Sequence, residues 1–171
     1  DMSIAENHGG LYQNLALLRK TDGQTECNLF KAMGLDYVYV DRGNDVAALI
    51  KAFKEVKDST KPVVVHINTL KGKGYAPAEK CKEQWHYSGP FDIETGKPLF
   101  DNVEEDYSSV TCEYLLKKMK NDSSVVAITS GTPTVMGFTE DKRKEAGSQF
   151  VDVGIAEETA VALASGVAVN G

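Results

Sequence analysis

The sequence predicts an α/β fold with parallel strands, built as two successive units, and three features carry that prediction. "DYVYV", then "DVAALIKAFKEVK", then "PVVVHINTL" read as strand, amphipathic helix and strand, the order that a parallel pair needs because its strands cannot be joined by a tight turn. A stretch rich in Gly, Pro and acidic residues follows at 88–107. The alternation then restarts, with "VVAIT" and "FVDV" separated by a helical segment.

Each element has its own local reason. After Gly9 and Gly10, residues 11–20 and 25–34 read as short helices, the second closing at Gly34. Residues 36–40 alternate as a strand. Within 45–57, apolar side chains at 46, 49, 50 and 53 share one helical face, and Asp45 stands where an N-cap belongs. "PVVVHINTL" is apolar almost throughout, as a strand buried on both faces of a parallel sheet would be. Residues 108–120, about 134–146, and 156–169 read as helices, with strands at 125–129 and 150–153. The last helix, "ETAVALASGVAV", is so apolar and rich in small residues that burial on most of its sides is expected.

Bulk properties narrow the function. The 171 residues, 42% hydrophobic and 26% charged, suffice for one domain or two small ones. With 19 basic against 25 acidic residues, a net charge of -6 and no basic stripe interleaved with aromatics, a nucleic-acid partner is not expected. Cys27, Cys81 and Cys112 are odd in number and form no C-x-x-C pair, so neither a disulfide framework nor a zinc site is indicated. A reducing, cytoplasmic setting fits that usage. No apolar run is long enough to cross a bilayer and the first residues do not have the build of a secretory signal, so no membrane role is expected. The chain opens on "DMSIAENHGG" without a starting Met and stops at "ASGVAVNG", which reads as a piece of a longer polypeptide.

The chemistry-bearing residues concentrate at strand ends. Residues 69–92, "TLKGKGYAPAEKCKEQWHYSGPFD", follow the apolar strand with too little periodicity for a helix, and ligands of open α/β sheets collect at that edge. Lys71 and Lys73 with the intervening glycines could cradle a diphosphate, or form a solvated turn. His86, between Trp85 and Tyr87, could handle a proton near neutral pH, or its neighbours could pin the loop. His66, inside the apolar strand, reads as a packed, hydrogen-bonded histidine, and His8 is undecided. In "DVGIAEE", Glu157 and Glu158 occupy the first turn of the apolar helix, where the helix dipole alone favours acids. A carboxylate at the mouth of a buried helix would also be partly desolvated and fit for proton exchange. Ser3, Glu6 and Asn7 could shape a polar pocket or only a turn, and "VEED" at 103–106 reads as a solvated linker face.

Taken together, "DMSIAEN", "PVVVHINTLKGKGYAPAE", "WHYSGPFD", "VAIT" and "FVDVGIAEETAVALASGVAV" occur in an order that resembles the 1-deoxy-D-xylulose-5-phosphate synthase family, transketolase-like enzymes dependent on thiamin diphosphate and Mg²⁺. The resemblance spans nearly the whole chain and is weakest at 11–34 and in the linker. It implies a parallel-sheet thiamin diphosphate-binding fold, with parts of two consecutive transketolase-like domains. Residues 1–95 would close the diphosphate-binding domain, 96–107 would be a linker, and 108–171 would begin the pyrimidine-binding domain. It implies condensation of pyruvate with glyceraldehyde 3-phosphate, with loss of CO₂, by a homodimer. By position, Lys71 and Tyr75 match cofactor-contacting residues, Glu157 the carboxylate that bonds the aminopyrimidine, His86 the active-site histidine, and Met2 a backbone-carbonyl ligand of Mg²⁺. Glu158 and Thr159 stand where the family usually has Gln and His, and the family's Gly-Asp-Gly metal motif would fall before Asp1. A transketolase proper and a non-catalytic α/β binding module are the competing readings.

Overall fold

The computed structural model describes residues 9–100 and 105–170. Met2, Ser3, Glu6, Asn7 and His8, with the first half of the 103–106 acidic run, lie outside the described residues. The chain divides into two compact units, one of Gly9–Trp85 and one that includes His86–Gly171. The mixture of helices and parallel strands expected from the sequence is present in both.

In the first unit, α1 (Gly9–Lys20) buries Leu15 and Leu18 and ends on Arg19 and Lys20, cations that suit the negative end of a helix dipole. The helix expected over 25–34 shortens to a single turn, α2 (Leu29–Ala32). Its start is delayed because polar side chains take the backbone first. Thr25 Oγ1 accepts the Cys27 N–H at 3.3 Å, and Asn28 Oδ1 accepts those of Phe30 and Lys31 at 3.0 and 3.2 Å. Strand β1 (Asp36–Val40), helix α3 (Val46–Val56) and strand β2 (Val63–Ile67) then form the expected crossover, with Asp36 opposite Val63 and Val40 opposite Ile67 in parallel register. Asp45 caps α3 as its position predicts, accepting the N–H groups of Ala47 and Ala48 at 2.8 and 3.2 Å.

Two expectations about burial need correction in this unit. Every residue of β2 is half-buried rather than sealed on both faces, because β1 is its one partner among the described residues. On α3 the buried residue is Ala52, whereas Val46, Ile50 and Phe53 of the expected apolar face are exposed. The 69–92 segment is also not wholly irregular. It contains α4 (Ala76–Lys80), a short helix with Pro77 in its first turn, where a missing N–H costs nothing.

The second unit opens with α5 (Tyr107–Met119), started by a reciprocal capping box in which Asp106 Oδ1 accepts the Ser109 N–H at 2.7 Å and Ser109 Oγ accepts the Asp106 N–H at 3.1 Å. Asp106, read from sequence as part of a solvated linker face, is thus a helix signal. Strands β3 (Ala127–Thr129) and β4 (Phe150–Asp152) pair in parallel, Thr129 opposite Asp152. Cys112, Leu116 and Met119 pack with Phe138 and Ala146 into the core, and the Phe138 and Phe150 rings lie 4.7 Å apart.

The single helix expected over 134–146 is broken into a 3₁₀ turn, Pro133–Met136, and α6 (Glu140–Ala146). Gly137 between them has φ +78°, and a Cβ there would run into the Ser108 carbonyl and Cys112. The break therefore lets the backbone pass against α5 and insert Phe138 into the core. Arg143 Nη1 donates to the carbonyl of Phe138 at 2.8 Å and holds the broken corner. The final helix, α7 (Glu157–Asn170), overturns the expectation of burial on most sides: Val161 is 69% and Val169 83% exposed. Burial of such a helix needs layers on several sides, and among the described residues of this unit the two-stranded β3–β4 pair is a narrow floor. No helix among the described residues is long and apolar enough to cross a membrane.

Candidate functional site

Both parallel pairs present turns at their carboxyl ends, and the loop of residues 71–75 follows the turn after β2. At the end of β1 and β2, Asn68 N–H donates to Val40 O and Gly43 N–H donates to Asn68 O, each at 2.9 Å. The two turns are therefore one hydrogen-bonded layer. Gly43 is required in it, since a Cβ would meet the Asn68 carbonyl and Ile67. Asn44 adds a side-chain clamp: its Oδ1 accepts the Leu70 N–H at 2.7 Å and its Nδ2 reaches Leu70 O at 3.5 Å.

Lys71 follows directly and is exposed. The loop then turns twice, with Lys73 N–H donating to Leu70 O at 3.2 Å and Tyr75 N–H to Gly72 O at 3.0 Å. Gly72 has φ +79° and packs so closely on Ala78 that a side chain has no room. Glu79 of α4 reaches back to accept the Gly74 N–H at 2.9 Å. Tyr75 precedes α4, and its ring stands edge-on to Trp85 at 5.1 Å, a favourable aromatic geometry.

A cleft of about 520 Å³ opens beside this layer, lined by Asp41, Arg42, Asn44, Asn68, Lys73 and Lys82 among others. Arg42 pairs with Asp45 at 3.1 Å, so Lys73 and Lys82 supply positive charge beyond that internal pair. Arg42, Lys73 and Lys82 outnumber the carboxylates of Asp41 and Asp45 in the lining, a positive balance that suits an anion such as a diphosphate. Lys73, rather than Lys71, is the lysine of the loop that lines the cleft. Sequence reasoning missed Arg42, Asn44, Asn68 and Lys82. The Asn44 contribution had a readable signal, a short amide side chain just after Gly43 and before a helix cap, but its partner at Leu70 is set by strand pairing.

His66 lies on the same strand pair, away from the loop in sequence. Its Nδ1 is 2.7 Å from Tyr37 Oη, Arg19 Nε points at its Nε2 from 3.5 Å, and the Tyr39 ring stands edge-on at 5.3 Å. The guanidinium donates, so Nε2 accepts and Nδ1 carries the hydrogen that bonds Tyr37. Burial first, and then the Arg19 charge, hold the imidazole below its ordinary pKa. Burial likewise raises Tyr37, with the neighbouring Tyr39 adding to it and Arg19 opposing it. The expected packed, hydrogen-bonded histidine is thus present, half-buried.

In the second unit, His86 is exposed in a bend, next to half-buried Trp85 of the first unit and the exposed Tyr87. Glu157 begins α7 and is exposed, so the partial desolvation expected for it is not found. The cause is the uncovered helix above it. The carboxyl ends of β3 and β4 are joined by one buried group, Asp152, whose Oδ1 accepts the N–H groups of Gly131 at 3.0 Å and Gly154 at 2.9 Å. Lys71 and Tyr75 are thus placed on one loop of the first unit, and His86 and Glu157 belong to the second. Met2 lies outside the described residues. Among the described residues no group of three or more His, Cys, Asp or Glu side chains could hold a metal ion.

The architecture is that of an α/β protein with a glycine-lysine loop and a cleft at the carboxyl end of one parallel strand pair. A family model described as 1-deoxy-D-xylulose-5-phosphate synthase matches residues 19–69. The chain is similar to the 1-deoxy-D-xylulose-5-phosphate synthase of Campylobacter hominis, 41% identical over 84% of this chain and 23% of that protein. It is similar to that of Acaryochloris marina, 40% identical over 84% of this chain and 23% of the relative. With that of Listeria monocytogenes serotype 4b it shares 36% identity over 100% of this chain and 29% of the relative. The chain belongs to the 1-deoxy-D-xylulose-5-phosphate synthase family. It spans between 23% and 29% of the length of these three relatives.

Proposed function

We propose that this chain forms part of a thiamin diphosphate-dependent transferase that condenses pyruvate with glyceraldehyde 3-phosphate, releasing CO₂ and giving 1-deoxy-D-xylulose 5-phosphate for isoprenoid and thiamin biosynthesis. The observation that carries this reading is the similarity to enzymes of that name, 36% to 41% identical over 84% to 100% of the chain. In it, residues 1–95 belong to a diphosphate-binding domain, 96–107 to a linker and 108–171 to a pyrimidine-binding domain. The working protein is a cytoplasmic homodimer with Mg²⁺ as second cofactor. Met2 offers its backbone carbonyl to that ion, whose other ligands come from elsewhere in the full-length protein.

Bound thiamin diphosphate supplies the electron sink that decarboxylation of a 2-keto acid needs. This chain's residues bind and orient around it. Lys71 and Tyr75, with the Lys73 and Lys82 charges facing the cleft, hold the diphosphate end and its negative charge. Glu157, at the first turn of α7, bonds the aminopyrimidine and exchanges a proton with its ring nitrogen. His86, in the second unit, delivers or removes a proton at the substrate oxygen, work suited to an imidazole near neutral pH.

Product analysis on the full-length protein tests this reading, with thiamin diphosphate and Mg²⁺ in every tube. Pyruvate plus glyceraldehyde 3-phosphate should give deoxyxylulose phosphate and CO₂. Sedoheptulose phosphate from xylulose 5-phosphate plus ribose 5-phosphate would make it a transketolase instead. Silence in both would leave a binding module.

A further inference from the structure

We propose that Asp152 is a positioning residue that fixes the start of α7 and thereby the direction of Glu157. This inference rests on the reading of Glu157 as the proton-exchanging carboxylate. Asp152 ends β4 and is 8% exposed, and a carboxylate is rarely so buried unless its oxygens are satisfied. One oxygen, Oδ1, accepts from Gly131 and from Gly154. Those residues stand two positions beyond the ends of β3 and β4. The carboxylate therefore staples the turn after β3 to the turn after β4, beyond the backbone bond from the Val153 N–H to Thr129 O at 3.0 Å.

Both stapled residues have positive φ, +80° at Gly131 and +78° at Gly154. A Cβ on Gly131 would come within 3.1 Å of Ile155 Cγ1 and 3.3 Å of the Gly154 carbonyl carbon, so the turns are in close contact as well as bonded. From Gly154 the hydrogen bonds run on without a gap. Its carbonyl accepts the Ala156 N–H at 2.8 Å, and the Ala156 carbonyl accepts the Ala160 N–H at 3.0 Å, which is the first turn of α7. Glu157 is three residues from the stapled glycine, on a backbone whose direction the staple sets. An exposed carboxylate has no packing of its own to hold it, so its aim depends on that backbone.

The test uses the full-length protein and reads deuterium exchange at the thiazolium C2 of bound thiamin diphosphate by acid quench and proton NMR. Cofactor affinity by calorimetry and kcat with KM for pyruvate are measured beside it. Asp152→Ala should slow exchange and kcat by about 10- to 100-fold, the scale of a small misplacement, with KM and cofactor affinity within about threefold. Asp152→Asn keeps an acceptor oxygen for the two N–H groups and should recover most of the loss. Gly131→Ala leaves the carboxylate in place, strains the same junction, and should slow exchange too; it carries the test if Asp152→Ala does not fold. Exchange at the wild-type rate in the folded Ala variants overturns the proposal. So does an equal loss in Asp152→Asn and Asp152→Ala, or a loss confined to thermal stability. Glu157→Gln is the control: if it exchanges normally, the assignment of Glu157 fails, whereas a slow Glu157→Gln beside a normal Asp152→Ala removes Asp152 alone.

Discussion

Asn44 Oδ1 accepts the Leu70 N–H at 2.7 Å, tying the turn that starts α3 to the residue before Lys71. The clamp is a side chain acting across two loops that are far apart in sequence. Replacing Asn44 by Ala leaves the Leu70 N–H to water and frees the start of the glycine-lysine loop. A single such bond is worth about 1 kcal/mol net, so thiamin diphosphate affinity of the full-length protein should fall by about fivefold. Asn44→Asp keeps the acceptor and should lose less. Calorimetric titration of the two variants measures both, and equal affinities across wild type and Asn44→Ala would show that the clamp does not govern the loop.

The His66 cluster predicts a pH-dependent contribution to stability. The folded imidazole titrates below its ordinary value because of burial and Arg19, so between the folded pKa and about pH 6.5 the unfolded chain binds more protons. The contribution is fully present above about pH 6.5 and is lost as pH falls towards the lowered folded pKa. Protonation would also turn Nε2 from an acceptor into a donor facing Arg19 Nε. Wild type and His66→Gln should therefore converge or cross in stability as pH drops from about 7.5 to about 5.5, one unit either side of the ordinary value. Urea unfolding across that range, with an NMR titration of His66, checks the sign; a folded His66 titrating above its ordinary value would refute it.

In the second unit, Phe138 is 2% exposed and packs on Phe150. Phe138→Ala should cost about 3–5 kcal/mol, since the pinned corner at Gly137 prevents the site from collapsing. The loss should show as a lower urea midpoint for that unit. A change below about 1 kcal/mol would mean the corner relaxes into the cavity.

Much of this frame was legible locally. Asp45 and the 46–56 helix, "DYVYV" and the apolar 63–67 strand each declare themselves through capping or period, and those signals survive folding. Where the reading failed, a non-local contact decided. The 134–146 pattern reads as one helix until Gly137 must pass Ser108 and Cys112 of α5. The burial of α7 was inferred from composition, but composition states that a helix needs cover without stating what covers it. The sequence offers Lys71 and Lys73 alike as diphosphate partners, and the resemblance points to Lys71; Lys73 and Lys82 line the cleft, and Lys82 is out of reach of sequence because side-chain direction on a loop with two turns cannot be counted from it. The Asn44 bond to Leu70 and the Asp152 bond to Gly131 escape sequence for one reason: each reaches a backbone N–H that strand pairing brings near, and strand pairing is not written in either residue's neighbourhood.

The lysines of the cleft allow a last prediction. Lys73 and Lys82 line it, while the nearby Arg42 is already paired with Asp45, so the two lysines, set against the one further carboxylate of Asp41, leave the cleft a positive surplus. Such exposed charges attract a diphosphate through solvent and are screened over about 8 Å at physiological salt. Inorganic diphosphate, competing against thiamin diphosphate on the full-length protein, should bind about three- to tenfold more weakly to Lys73→Gln. Lys82→Gln should show a smaller loss, and the double variant should have the shallowest salt dependence. Lys71→Gln is the informative comparison. A greater loss there than at Lys73 would assign the direct phosphate contact to Lys71 and leave Lys73 and Lys82 as a background field; a loss at Lys73 and Lys82 alone would place the diphosphate in the cleft itself.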